Sequence, residues 1–106
     1  MHDSVIAQSI LKDLKPYGKV KKAYIEVGEL FGIEPDHLLE HIRDVSKIEF
    51  DIKQTQSIVK CTCGYKGRAK IIERFHDFVL YECPECEGNP EVITGDKIKI
   101  VKVISF

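Results

Sequence analysis

The chain has 106 residues, enough for one domain or for two very small ones that share a core. Its composition, 43% apolar and 31% charged with no Trp, is that of an ordinary soluble globular protein. A formal net charge of -1 argues against a general nucleic-acid binder, and neither half restores that role: residues 1–57 carry 8 basic and 10 acidic side chains, residues 58–106 carry 8 and 7. No apolar run approaches the length of a membrane span, and the N-terminus turns polar and helical at once, so neither a membrane anchor nor a signal peptide is expected.

The first element predicted is a helix from residue 4 to about 15. Asp3 or Ser4 can cap it, and Ile6, Ile10 and Leu14 recur at four-residue steps beside Ala7 and Leu11. Pro16-Tyr17-Gly18 stops it. Residues 20–29 alternate as a strand, with Ala23, Ile25 and Val27 on one face. A second helix opens at Glu34-Pro35, where proline's missing N–H is not needed, and Leu38, Leu39, Ile42 and Val45 are its expected buried side. Ile48, Phe50 and Ile52 alternate as a second strand. Short antiparallel strands are expected near Ile58–Lys60, Arg68–Arg74 and Phe78–Glu82, with glycine turns at Gly64 and Gly67. Gly88-Asn89-Pro90 and Gly95-Asp96 mark the exit from this stretch. The last ten residues form a strand too apolar for an isolated tail, which therefore returns to the first sheet.

The fold class expected is α+β: a small two-helix, three-strand domain, residues 1–57 plus 97–106, into which an all-β module of residues 58–96 is inserted.

All four cysteines lie in that insert, as Cys61-Thr62-Cys63 and Cys83-Pro84-Glu85-Cys86. Two close pairs of thiolates are the usual ligand set of a tetrahedral structural Zn(II) site, and with no export signal they point to a reduced, cytoplasmic setting in preference to disulfides. Iron would use the same ligands in a rubredoxin-like arrangement; a closed all-cysteine site without other redox features favours zinc. An insert this small cannot stabilise itself by burial, so metal binding contributes directly to its folding.

His37-Leu38-Leu39-Glu40-His41 matches H-x-x-E-H, an inverted zinc-protease pattern. Leu38 and Leu39 are committed to the core and the chain is short for a substrate cleft, so the histidines read as an exposed pair on a polar helix face. No phosphate loop or Ser-His-Asp set accompanies them, and no catalytic residues are assigned. Met1-His2-Asp3 carries different chemistry. A free α-amine, the His2 backbone nitrogen, the His2 imidazole and the residue-3 position can surround one divalent ion in a nitrogen-rich square plane, a geometry that suits Ni²⁺ and Cu²⁺ better than Zn²⁺.

Three features occur in order along the whole chain: M-H-D-S at the start, Val27-Gly28-Glu29-Leu30, and paired cysteines followed by a final strand. Together they resemble the HypA family of [NiFe]-hydrogenase maturation. The resemblance implies a metallochaperone without enzymatic activity. Met1, His2 and Asp3 would bind Ni(II) for transport, and Cys61, Cys63, Cys83 and Cys86 would hold structural Zn(II). The family's first pair is normally C-x-x-C, from which C-T-C departs. The partners implied are the GTPase HypB and the [NiFe]-hydrogenase large-subunit precursor, with urease a further recipient in some relatives. Neither nucleic acid nor a membrane is among them. A homodimer stays open, since a strand returning from a hinged module can exchange between protomers. Some relatives recruit a histidine from the zinc module to nickel; His76 is the histidine available there, and the reading favoured for it is a surface strand residue. A zinc-ribbon adaptor for protein or nucleic acid is the alternative function, and an iron electron-transfer module a third.

Overall fold

The computed structural model describes residues 3–75 and 78–106, with the side chains of Asp3 and Ser4 left aside. Helix α1 runs Asp3–Leu14 and ends in a single 3-10 turn, Lys15–Tyr17, closed by Gly18 at φ 74°. Strand β1 follows as Val20–Gly28, helix α2 as Pro35–Val45 and strand β2 as Glu49–Thr55. The insert contains β3, Ile58–Lys60; β4, Lys66–Gly67; β5, Lys70–Arg74; β6, Val79–Glu82; and β7, Glu91–Thr94. Strand β8, Ile98–Ser105, ends the chain.

The first sheet has the order β2-β1-β8. β1 and β2 are parallel, as the intervening helix α2 requires, because parallel neighbours need a crossover instead of a hairpin. β8 returns antiparallel on the other side of β1, as expected for so apolar a terminal segment. One face of this sheet supports both helices. Ile6, Ala7, Ile10 and Leu14 of α1 and Leu38 and Ile42 of α2 share a buried cluster with Ala23, Ile25, Val27 and Phe50.

A register shift opposite Tyr24/Ile25 explains how β8 contributes to that core. Ile98 faces Val27 and Ile100 faces Ile25, whereas Val103 faces Ala23. Residues 98 and 103 differ in parity and share a sheet face only because the irregularity at Val101 adds a residue, leaving Val101 half exposed.

Two expectations are corrected. Val45 is 57% exposed: it is the last residue of α2, lying past the part of the helix that Ile42 seats on the core, and Ser46 leaves in an extended conformation. The exit expected at Gly88-Asn89-Pro90 and Gly95-Asp96 encloses a further strand: Glu91–Thr94 pairs antiparallel with β3, giving the order β4-β3-β7 beside a separate β5-β6 hairpin. Four residues between Pro90 and Gly95 are too short to show a period.

The chain passes between the two sheets at a narrow waist. The Cβ of a residue larger than Gly28 would fall on the carbonyl of Gly95, and one built on Gly95 would lie 2.5 Å from Ser57 Cα, on a backbone already at φ 99°. Three segments cross here without room for a side chain. Gly28→Ala is therefore expected to lower stability by about 1–3 kcal/mol through overpacking against backbone that cannot swing aside. Urea unfolding checks this; an unchanged midpoint would show that the waist yields.

Candidate metal centres and the joint between them

The four cysteines converge from two tight turns. In the first, Gly64 N–H donates to the Cys61 carbonyl at 3.0 Å and Cys61 N–H to the Tyr65 carbonyl at 2.9 Å, with Gly64 at φ 100°. In the second, Cys83 N–H donates to the Gly88 carbonyl at 3.0 Å and Glu87 N–H to the Cys83 carbonyl at 2.9 Å, with Glu87 at φ 61°. The one-residue gap of Cys61-Thr62-Cys63 is thus accommodated, because glycine directly after Cys63 completes the reversal.

All four Sγ atoms lie within 4.8 Å of one another, with Cys61 to Cys86 at 3.4 Å and Cys63 to Cys83 at 3.7 Å. A tetrahedron with Zn–S bonds of about 2.3 Å has edges of about 3.8 Å, so the donor set fits a zinc-sized ion. Cys61 and Cys83 are buried while Cys63 and Cys86 are exposed. Their protonation is uneven. A backbone N–H from Cys63 and the neighbouring Cys86 thiol bring Cys61 down to about 7. Cys86 accepts a backbone N–H from Gly88 that favours its thiolate, but its bonds to Cys61 and Cys63 and its desolvation prevail and push it up to about 12. Four sulfurs this close cannot all carry charge without a cation among them.

The first proposed centre stands differently. Met1 and His2 lie outside the described residues, as does His76, and the side chain of Asp3 is not described. Asp3 begins α1, whose packing against the core anchors the segment that follows the terminus. His37, Glu40 and His41 are exposed on α2. Among the described residues, the four cysteines are the group of three or more His, Cys, Asp or Glu placed to hold a metal, and no third such ligand gathers with His37 and His41. The protease pattern therefore lacks its third protein ligand there.

Glu29, within V-G-E-L, has a structural role that the sequence does not announce. It follows β1, and its side chain is 1% exposed at the waist. Oε2 accepts the Ser57 backbone N–H at 2.6 Å and the Ser57 hydroxyl at 2.7 Å. Arg68 bonds it side-on, Nε lying 3.1 Å from both oxygens and Nη2 2.8 Å from Oε1. The Ser57 hydroxyl in turn accepts the Ala69 N–H at 3.1 Å. Around this group, Gly28 N–H donates to the Lys97 carbonyl, Glu29 N–H to that of Thr55 and Leu30 N–H to that of Gly95. Leu30 then enters the second hydrophobic cluster with Val59, Ala69 and Val79. Glu34, at the start of α2, adds an ion pair with Arg74 of β5 at 3.5 Å. A polar residue between the two apolar ends of V-G-E-L was the available signal, but nothing in the sequence indicates that Arg68 faces it.

Burial alone would raise the Glu29 carboxyl; the hydrogen bonds from Arg68 and Ser57 outweigh it and hold the group below its ordinary value.

These features define a class: a small α+β metal-site protein in which an all-β module carrying four convergent cysteines is clamped to a two-helix, three-strand domain. The chain matches, over residues 1–104, the family model described as "Hydrogenase/urease nickel incorporation, metallochaperone, hypA". It belongs to the HypA family. The solution structure of the Ni metallochaperone HypA from Helicobacter pylori is similar in fold, with a TM-score of 0.67 and 12% identity, covering 99% of this chain and 97% of that one. A second solution structure of a HypA protein has a TM-score of 0.53 at 13% identity, covering 98% and 92%. The chain is also 34% identical over 83 residues to the F-box protein SKIP14 of Arabidopsis thaliana; the match takes in 76% of this chain but spans 17% of that protein's length. No helix among the described residues is long and apolar enough to cross a membrane.

Glu29→Gln keeps the shape of the joint but removes its charge, and is expected to cost about 1.5–3 kcal/mol, the range for hydrogen bonds to a charged group. Because the folded carboxyl lies below the ordinary value of 4.5, its contribution is fully present above that pH and is lost as pH falls through the folded value. The stability gap between parent and variant, followed by denaturant unfolding, should be constant near neutrality and close on acidification below about pH 4.5. A gap that persists undiminished in strong acid would contradict the assignment.

Proposed function

We propose that this chain is a nickel carrier that holds Ni²⁺ through Met1, His2 and Asp3 and delivers it to the precursor of the [NiFe]-hydrogenase large subunit. Residues 1–57 with 97–106 form the nickel-binding unit, and residues 58–96 form a module held by Zn²⁺ on Cys61, Cys63, Cys83 and Cys86. The observation that carries the reading is the family match across nearly the whole chain, which includes the initial Met-His-Asp. The GTPase HypB is the proposed exchange partner, and the work is binding and transfer without catalysis.

The donor chemistry supports the division of labour. A chain terminus offers nitrogen ligands that select Ni²⁺ by geometry and release it by stepwise replacement. Four converging sulfurs offer a closed site suited to a resident ion. Zinc would supply no reaction there; it would neutralise the thiolates and hold the two turns together.

Nickel calorimetry on the unmodified protein, on His2→Ala and on a version extended by one residue before Met1 tests the terminal site. Both changes should weaken binding severely while zinc stays at one per chain. If the extended form binds nickel as tightly as the parent, the site is elsewhere. Protons compete for the amine and imidazole, so affinity should also fall sharply below about pH 6.5; unchanged affinity at about pH 5.5 would contradict the ligand set. Removing zinc with a chelator should melt the insert while the helical circular-dichroism signal of α1 and α2 persists.

A further inference from the structure

His37 and His41 stand one helical turn apart on α2, and both are exposed. We propose that they form a second, labile site for a divalent transition-metal ion, on the helical face of the nickel-binding unit.

The geometry follows from the helix. Residues four apart project from the same face with Cβ atoms about 5–6 Å apart, close enough for two imidazole nitrogens to meet one ion at about 2.0–2.1 Å. Leu38 and Ile42, fully buried, fix the rotation of α2 and thereby turn residues 37 and 41 toward solvent. At 100° per residue, Glu40 and Asp44 fall on the same arc as the two histidines, and both are exposed. Two nitrogens at the centre and carboxylates at the flanks form a cation-attracting stripe, with the other coordination positions left to water.

Such a donor set favours copper and nickel over zinc, following the usual order of divalent affinities. It differs from the four-cysteine group in kind. Two protein ligands on an open surface let an ion arrive and leave quickly, whereas a closed thiolate shell retains it. A carrier gains from an entry position of this type on the domain that holds the cargo. The inference itself rests on α2 alone and not on the terminal site.

The test uses full-length, zinc-loaded protein acetylated at the N-terminus and carrying His2→Ala, titrated with Ni²⁺ and separately with Cu²⁺. Calorimetry should show one further equivalent, tighter for Cu²⁺ than for Ni²⁺. Paramagnetic broadening of amide signals by Cu²⁺ should centre on residues 37–41. His37→Ala and His41→Ala should each abolish both signals, with circular dichroism confirming an intact fold. Absence of binding, binding that survives the double substitution, or broadening centred on the β5-β6 hairpin would each overturn the proposal. The double variant with an unmodified terminus should still bind nickel at Met1-His2-Asp3, so failure of this site and failure of the terminal site are read separately.

Discussion

The structure depends on one buried carboxylate. Glu29 has given up water almost completely, and a carboxylate in that position is tolerable only when its lone pairs are filled. Ser57, the last residue before the insert, and Arg68, within it, fill them. The insert is therefore bound to the first domain by a group that cannot be left without partners cheaply. Arg68 remains half exposed, so the charge pair itself is partly screened. Three donors crowd Oε2: the Ser57 N–H, the Ser57 hydroxyl and Arg68 Nε.

The joint also decides how the small module is stabilised. Its buried cluster consists of Leu30, Val59, Ala69 and Val79, and Leu30 arrives from the first domain. The three side chains the insert adds to that cluster give it little apolar area to offset the entropy of ordering its strands. Two devices compensate. The clamp at Glu29 and Leu30 lends it part of another core, and four thiolates around an ion would close its two turns. The first domain needs neither, since two helices and three strands bury a continuous cluster of a dozen residues.

The parts legible in the sequence were those with a period or a punctuation mark. The stripe Ile6, Ile10, Leu14, the stop at Gly18, the Pro35 start of α2 and the apolar run of β8 follow from local rules that tertiary packing did not override. The close spacing within each cysteine pair likewise announces convergence, because each pair is closed by its own turn. What could not be read was long-range. Glu29 and Arg68 are 39 positions apart, and no periodicity relates them. Val45 looked buried because a helical stripe says which residues share a face, not where the supporting layer ends. Strand β7 was hidden by its shortness, and the extra residue at Val101 that brings Val103 to the core cannot be told from plain alternation.

The two proposed centres divide the metal chemistry in a way that limits exchange between them. Zinc binds thiolates strongly, and a closed tetrahedron of sulfur leaves no open position for an incoming ligand. Nickel at the proposed terminal site would sit among nitrogens, in a geometry zinc does not prefer, with partners able to approach from the open side. A carrier whose resident ion could migrate to its cargo site would deliver the wrong metal, and difference in ligand type blocks that route more effectively than difference in affinity. Rigid attachment adds to the separation. With the waist closed by Gly28 and Gly95 and latched by Glu29, the cysteine turns belong to a module held against the two-helix, three-strand domain.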